Sequence, residues 1–323
     1  MFGCQPEEAG ETDTGECVAP IDEGPCPLDP SVSAGAFFRI YNPSVGEAGP
    51  WYINDHSFIR GSDGIWHLFG ITHPEPQVHH EERIFAHATA ASLTQAMWEK
   101  RPPALVYAPE LGEEVLWAPH VIESDGTFYM FYASGGPEPT SWRMRLATSP
   151  DLETWTRVMA PLFTDGYEAR DPFVIRIADR WVMYYTRTDP PSGGRFVVAY
   201  RTSDDLFNWS EPGLAFVDPT SGTSFSVTES PFVVERDGLY YLFIGPRGGY
   251  VGTDVFASAD PLSFSNACRI GHIDAHAAEV VIDDDGAWYV SHAGWGQGGV
   301  FLAPLAWESA ACPAVSIEAP ERS

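Results

Sequence analysis

Three acidic residues lie far apart in the chain, and each stands at the entrance to an apolar run. They are Asp55 in Trp51-Tyr52-Ile53-Asn54-Asp55, Asp171 in Arg170-Asp171-Pro172, and Glu229 in Thr228-Glu229-Ser230-Pro231. Carboxylates gathered away from water repel and desolvate one another, which spreads their pKa values until one keeps a proton while another stays ionised. Such a set can act as general acid and general base. No local element can bring the three together, so only the fold can assemble them.

A repeat supplies that fold. Turn signals follow apolar runs at Asp63-Gly64, Asp125-Gly126, Asp179-Arg180, Asp237-Gly238 and Asp285-Gly286, 62, 54, 58 and 48 residues apart. After each comes an aromatic strand pattern, such as Thr127-Phe128-Tyr129-Met130-Phe131 or Leu239-Tyr240-Tyr241-Leu242-Phe243. Four repeats add a third strand ending in small residues, then a turn with Leu93, Leu152, Leu206 or Leu262, then Trp98, Trp155, Trp209 or Phe264. Three to four short strands, five times over, with no amphipathic helix between them, predict an all-β, five-bladed β-propeller. The last repeat is one strand short. Phe37-Phe38-Arg39-Ile40-Tyr41 alternates suitably and is expected to complete blade five and close the ring.

Counting nine residues back from the second turn residue aligns Asp55, Trp117, Asp171, Glu229 and Ala277, the last beside His276. In a propeller the innermost strands begin at one end of the central axis, so matched positions converge on one funnel. Asp55, Asp171 and Glu229 are therefore expected to face one another. Two carboxylates flanking a bond, one as acid and one as base or nucleophile, are the equipment of glycoside hydrolysis. The structural alternatives are a calcium ion near the axis, held by the same oxygens, or carboxylates bonded to the blade backbone.

At these residues the sequence resembles the five-bladed propeller glycosidases, above all glycoside hydrolase family 43, with families 32, 68 and 62 as relatives. The motifs are Trp51 to Asp55, Trp117-Ala118-Pro119-His120, Arg170-Asp171-Pro172 and Glu229-Ser230-Pro231, and the resemblance runs from about Asn42 to Trp307. It implies Asp55 as general base (nucleophile if the enzyme is of the family 32 or 68 type), Asp171 as the carboxylate that orients substrate and tunes the acid, and Glu229 as general acid. It further implies Asn54, His56, Trp117, His120, Arg170 and His276 as substrate-binding residues. Two departures matter: His120 stands where family 43 usually has Asp, and Arg170 is the arginine of the fructoside families.

Elsewhere, Trp51, Trp142, Tyr250 and Trp295 could join Trp117 in rimming the funnel, since aromatic faces stack on sugars. His73, His79 and His80 share a loop with Glu75, Glu81 and Glu82; their spacing matches no metal motif, and the loop reads as solvated. Gly294 to Gly299 reads as a wide hairpin, lacking the lysine of a phosphate loop. No Gly-x-Ser-x-Gly elbow is present.

With 18 basic and 45 acidic residues among 323, the formal charge is −27. Nucleic acid and anionic membranes are thereby disfavoured as partners. Residues 1–35 hold eight acidic residues and no Lys or Arg and read as a flexible tether, 36–312 as the catalytic propeller, and 313–323 as a tail. No run is long enough for a membrane helix. Met1-Phe2-Gly3-Cys4 resembles the end of a bacterial lipoprotein signal, with Cys4 the lipid anchor. The remaining four cysteines are expected to pair as Cys17–Cys26 and Cys268–Cys312 in an exported protein.

The expectation is an extracellular or periplasmic, monomeric glycoside hydrolase acting on arabinofuranosides or xylosides, with inversion as the expected outcome and no cofactor required. The alternatives are a retaining fructosidase of the family 32 or 68 type and a non-catalytic sugar-binding propeller.

Overall fold

A computed structural model of the chain describes residues 26, 28, 30–222 and 227–308. Two short strands open it, β1 (Ser31–Ala34) and β2 (Phe38–Tyr41). Four four-stranded antiparallel blades follow. Blade one comprises β3 (Trp51–Arg60), β4 (Trp66–Pro74), β5 (Ile84–Ala90) and β6 (Glu99–Val106); blade two comprises β7 (Val115–Ser124), β8 (Thr127–Gly135), β9 (Arg143–Ser149) and β10 (Thr156–Arg157). Blade three is β11 (Ala169–Ile177), β12 (Arg180–Asp189), β13 (Arg195–Ser203) and β14 (Gly213–Phe216). Blade four is β15 (Glu229–Arg236), β16 (Leu239–Gly245), β17 (Thr253–Ser258) and β18 (Arg269–Ile273).

Blade five is β19 (Val280–Ile282), β20 (Trp288–His292) and β21 (Val300–Glu308), completed from the other end of the fold. Both β1 and β2 pair with β21, Ser31 opposite Glu308 and Phe38 opposite Leu302. The expected closure by Phe37–Tyr41 is thus observed at β2. Blade five also takes in Ser31–Ala34, inside the stretch read as tether. Closing the ring in this way removes an otherwise open sheet edge.

The middle strands are apolar on both faces because each blade is sandwiched between two others. On β12, Val182, Met183, Tyr184 and Tyr185 are all buried, alternately filling the packing layers towards blades four and two. The repeated leucine turns have a physical cause. Ser149 Oγ accepts from the backbone N–H of Leu152, Asp151 Oδ1 accepts from Thr154 N–H, and the Trp155 indole donates to the Leu152 carbonyl. Ser203, Asp205, Leu206 and Trp209 repeat every one of these contacts in blade three. The side-chain oxygens cap the turn while the leucine is driven into the core.

One expectation is overturned. Cys26 pairs with Cys268, 242 positions away, so neither local pairing of these two cysteines, Cys17–Cys26 or Cys268–Cys312, is formed. The bridge fastens the segment ahead of β1 to blade four, where β1 already packs against β18. A covalent link between the closing strand and the neighbouring blade therefore spans the ring junction. Cys4, Cys17 and Cys312 lie outside the described residues, as does the tail at 313–323.

Candidate active site

The site is built by one backbone device used five times. In blades one to four the pairing of the inner strand with its neighbour slips by one residue, between Asn54 and His56, Trp117 and His120, Arg170 and Phe173, and Glu229 and Phe232. Each slip contains a residue in the left-handed region: Asp55 (φ 32°), Ala118 (50°), Asp171 (57°) and Ser230 (49°), matched in blade five by Ala277 (48°). Non-glycine residues rarely adopt this conformation, and such strain persists only where the surrounding structure imposes it. A bulge re-aims the side chains on either side of it. Here it turns the residue before it, as well as the bulged residue, towards the end of the axis.

This geometry corrects the register read from the turns. The matched ring is Asp55, Ala118, Asp171, Ser230 and Ala277; Trp117 and Glu229 belong to the preceding ring, with Asn54, Arg170 and His276. The count slipped in blades two and four because blades differ in turn length, and blade three kept its register only because its turn, Ala178-Asp179, was counted one residue late at Asp179-Arg180. Blades two, three and four turn on two residues, as Ile177 opposite Arg180 shows, whereas the pairs at Gly61 with Ile65 and Asp283 with Ala287 enclose three. Both rings nevertheless reach the same cavity.

That cavity, about 380 Å³ with the open solvent at its mouth included, takes Asn54, Asp55, Trp117, Arg170, Asp171, Glu229 and His276 from five blades. Seven of the nine residues singled out from the sequence thus come together. The other two, His56 and His120, line a second cavity deeper along the axis. His56 Nε2 lies 2.7 Å from Ser291 Oγ, and burial drives its imidazole down to about 3, so it stays neutral. His120 donates from Nε2 to the Val174 carbonyl at 3.1 Å and packs on Phe173.

The carboxylates are held from several sides. Asp55 accepts from Ser230 Oγ at 2.6 Å and from the Asn54 amide at 2.9 Å. Asp171 accepts from the backbone N–H of Ser230 at 3.1 Å and pairs with Arg170, whose other nitrogens reach Glu168 at 2.8 Å and Glu229 at 3.0 Å. Asp171 therefore fixes both the strand that carries Glu229 and the cation that faces it. Burial, then the charge of Asp171, pushes the Asp55 carboxyl well above its ordinary value, against the hydrogen bond from Ser230. Burial also raises Glu229, with Arg170 as the main opposing influence.

Ile71 and His79, the latter from the loop read as solvated, also line the cavity, and three further residues shape its wall. Tyr250 stacks on His276 with ring centres 3.9 Å apart and on Trp295 at 5.2 Å, and its hydroxyl accepts from the Trp295 backbone N–H at 2.8 Å. This contact needs Gly294, since a Cβ there would lie 2.8 Å from the Tyr250 hydroxyl. His276 must donate from Nδ1, because its 2.8 Å partner is the Tyr250 carbonyl, and Nε2 is left as an acceptor. Burial lowers this histidine to about 4, so it is neutral around pH 7. Of the other aromatic candidates, Trp142 backs Trp117 at 4.5 Å, and Trp51 lies at a peripheral cavity beneath Lys100.

The third addition is Glu82, which no sequence signal separates from the exposed Glu81 beside it. It is 1% exposed and lines the cavity.

A calcium ion was expected near the axis on the oxygens of Asp55, Asp171 and Glu229, the last of which already faces Arg170; the axial cavity beneath them offers it no better. Such an ion takes six to eight oxygen ligands. The side chains there offer imidazoles and Glu279, together with Asp55 and Asp171, whose oxygens are already engaged by Ser230, Asn54 and Arg170. This donor set does not fit a protein-caged calcium.

The model of glycosyl hydrolases family 43 matches residues 87–263, more than half of the chain. A probable sucrose-6-phosphate hydrolase of Psychromonas ingrahamii is 27% identical over 204 residues, covering 61% of this chain and 36% of that protein. The chain thus spans about a third of the length of that relative. Among solved structures, a thermostable family-43 glycoside hydrolase superposes with a TM-score of 0.63 at 20% identity, covering 88% of this chain and 97% of the other. A family-43 β-xylosidase/α-arabinofuranosidase from a compost metagenome, solved with xylotriose in a calcium-free form, gives 0.58 at 16% identity, covering 80% and 91%.

Proposed function

Because the chain belongs to glycosyl hydrolase family 43 and is a glycoside hydrolase, we propose that Asp55 is its general base, Glu229 its general acid and Asp171 the carboxylate that positions both. The observation that carries this reading is the convergence of these three residues, from blades one, three and four, on one cavity. Asp55 activates water on one face of the sugar. Glu229 protonates the departing oxygen. Asp171, through Arg170 and the Ser230 N–H, keeps Glu229 in place before substrate arrives, which lowers the reorganisation needed in the transition state.

The proton must be on Glu229 when the bond breaks. Arg170 by itself favours an ionised Glu229, and the strongly raised Asp55 is the better proton holder. Sugar hydroxyls that engage the Arg170 donors would draw its charge from Glu229, letting the proton sit there and leaving Asp55 as the base. Asn54, Trp117, Arg170 and His276 are the proposed substrate contacts. His56 and His120 act from the axial cavity, on the strands beneath the carboxylates.

The substrate is an unphosphorylated arabinofuranoside or xyloside. Among the described residues lining the cavity, Arg170 is the only arginine or lysine, and three carboxylates already surround it. A phosphate would meet net negative charge. The similar xylosidase/arabinofuranosidase fold points the same way. The second reading, a retaining fructosidase, is favoured by Arg170-Asp171-Pro172 and by the sucrose-6-phosphate hydrolase similarity. Hydrolysis of aryl arabinofuranosides, xylosides and fructosides, with the first-formed anomer read by proton NMR, tests both. Inverted pentose supports the main reading, and retained fructose replaces it.

We assign the protein to an oxidising compartment outside the cytoplasm, as a monomer anchored through Cys4. The Cys26–Cys268 bridge supports export, and no helix among the described residues is long and apolar enough to cross a membrane.

A further inference from the structure

Glu82 has a place in the site that acid–base chemistry leaves unused. It sits between β4 and β5, just after a single turn of 3₁₀ helix at His79–Glu81, and its carbonyl accepts from Leu116 N–H at 2.8 Å, which ties this connection to blade two. Its side chain receives two hydrogen bonds, from the Tyr52 hydroxyl at 2.6 Å and from the Trp295 indole at 3.1 Å, and both end on Oε1. The Trp117 indole stands outside hydrogen-bond geometry but also favours the charge. One carboxylate oxygen is therefore fixed by blades one and five, and the other has lone pairs to spare in a cavity walled by Trp117, Tyr250 and Trp295.

Glu82 Oε2 faces the open space of the cavity, where a hydroxyl of a ligand can reach it and a hydrogen bond to a charged acceptor is worth more than one to a neutral group. The aromatic faces around it suit the C–H faces of a sugar ring. We propose that Glu82 is a specificity-determining residue that accepts a hydrogen bond from one hydroxyl of the bound sugar through Oε2, while Tyr52 and Trp295 hold Oε1. This inference rests on the glycosidase reading and deepens it. It selects substrates carrying a free hydroxyl at the position that meets Glu82 and rejects those in which that position is deoxygenated, acylated or phosphorylated. Burial pushes Glu82 up to about 7, so the acceptor is fully developed only in mildly alkaline solution, where Tyr52 and the indoles remain donors.

The test is a cycle between enzyme and substrate. Wild type and Glu82→Gln are assayed at pH 8 on the preferred aryl glycoside and on its singly deoxygenated analogues. Gln keeps an oxygen for Tyr52 and Trp295, and circular dichroism confirms that the variant is folded. For one analogue, wild-type kcat/KM is expected to fall on the order of 10- to 100-fold, as for a lost hydrogen bond to a charged group. The same analogue should cost Glu82→Gln only about twofold, with the penalties at the other hydroxyls unchanged. Equal penalties in both proteins at every position overturn the proposal. If wild type turns over no glycoside, the catalytic reading fails separately, and the same cycle is read from sugar dissociation constants by tryptophan fluorescence, with the same two outcomes.

Discussion

A guanidinium nitrogen of Arg170 stands 3.0 Å from Glu229 Oε1, while the same side chain pairs with Asp171 and Glu168. One cation thus faces three carboxylates in a buried setting, where charge interactions are strong and removing either partner is expensive. Burial raises Glu229, and Arg170 is the main force pulling it back. Arg170→Leu should therefore move the alkaline limb of kcat/KM to higher pH, because Arg170 lowers both Asp55 and Glu229 and its loss lets the pair keep its shared proton longer. The rate itself should fall at least about tenfold, since a positioning group is lost. The pH profile of kcat/KM reports the free enzyme, and an alkaline limb that stays put rules out this coupling.

The two proposed chemical roles separate by leaving group. Glu229→Gln removes the proton donor, so aryl glycosides with poor leaving groups should slow by about 10²-fold or more, while activated dinitrophenyl glycosides need little protonation and should slow far less. Asp55→Asn removes the base and should slow both classes alike. Steady-state rates over a series of phenols of graded pKa give the comparison. If Glu229→Gln is insensitive to leaving group, the acid is another residue.

The blade count and the ring closure could be read in the sequence because turns and aromatic strands are local, and the five repeats corroborate one another. The site was legible more coarsely. Asp55 was found in true register, whereas Glu229 and Trp117 were placed one position out because turns of two and three residues cannot be told apart by counting; Asp171 fell into register because its turn was also read one residue late. The error was harmless to the assembly of the site, since both rings around the bulge face the cavity. His56 and His120 lie one layer deeper than the motif alone suggested, because adjacent residues past the bulge point down the axis. Glu82 could not be recognised at all: it is held in the site by hydrogen bonds from Leu116 of blade two and Trp295 of blade five, both distant in sequence. The Cys26–Cys268 pairing was equally out of reach, as it follows from the proximity of β1 to β18 in the closed ring.

That bridge carries its own prediction. It joins residues 242 positions apart, and in the chain-entropy account a loop of this size restricts the unfolded state by roughly 5 kcal/mol as an upper figure. Cys26→Ala and Cys268→Ala should each lower Tm, on the order of 10 °C for a domain of this size. The double variant should be no worse than the poorer single one, because both remove the same bond. Calorimetry with peptide mapping under non-reducing conditions provides the check. Small, additive losses in Tm would mean that the two thiols are unlinked in solution.

Glu82 also makes stability depend on pH in a direction opposite to most carboxylates. Its folded-state pKa is about 7, raised from 4.5, chiefly by burial. The folded protein then binds more protons than the unfolded chain between these two values, so stability falls as pH rises through this window. Holding the group ionised at pH 8 costs on the order of 3 kcal/mol relative to pH 4. Glu82→Gln cannot ionise and keeps the acceptor used by Tyr52 and Trp295. It should therefore raise Tm by several degrees at pH 8 and leave it nearly unchanged at pH 4.5, where wild-type Glu82 is itself neutral in the folded protein. Parallel melts of both proteins from pH 4.5 to 8 measure the difference, and a gap that does not widen with pH would show that this carboxyl titrates normally. A stabilising substitution that weakens substrate selection at the same pH is the signature of a residue kept for binding at the expense of the fold.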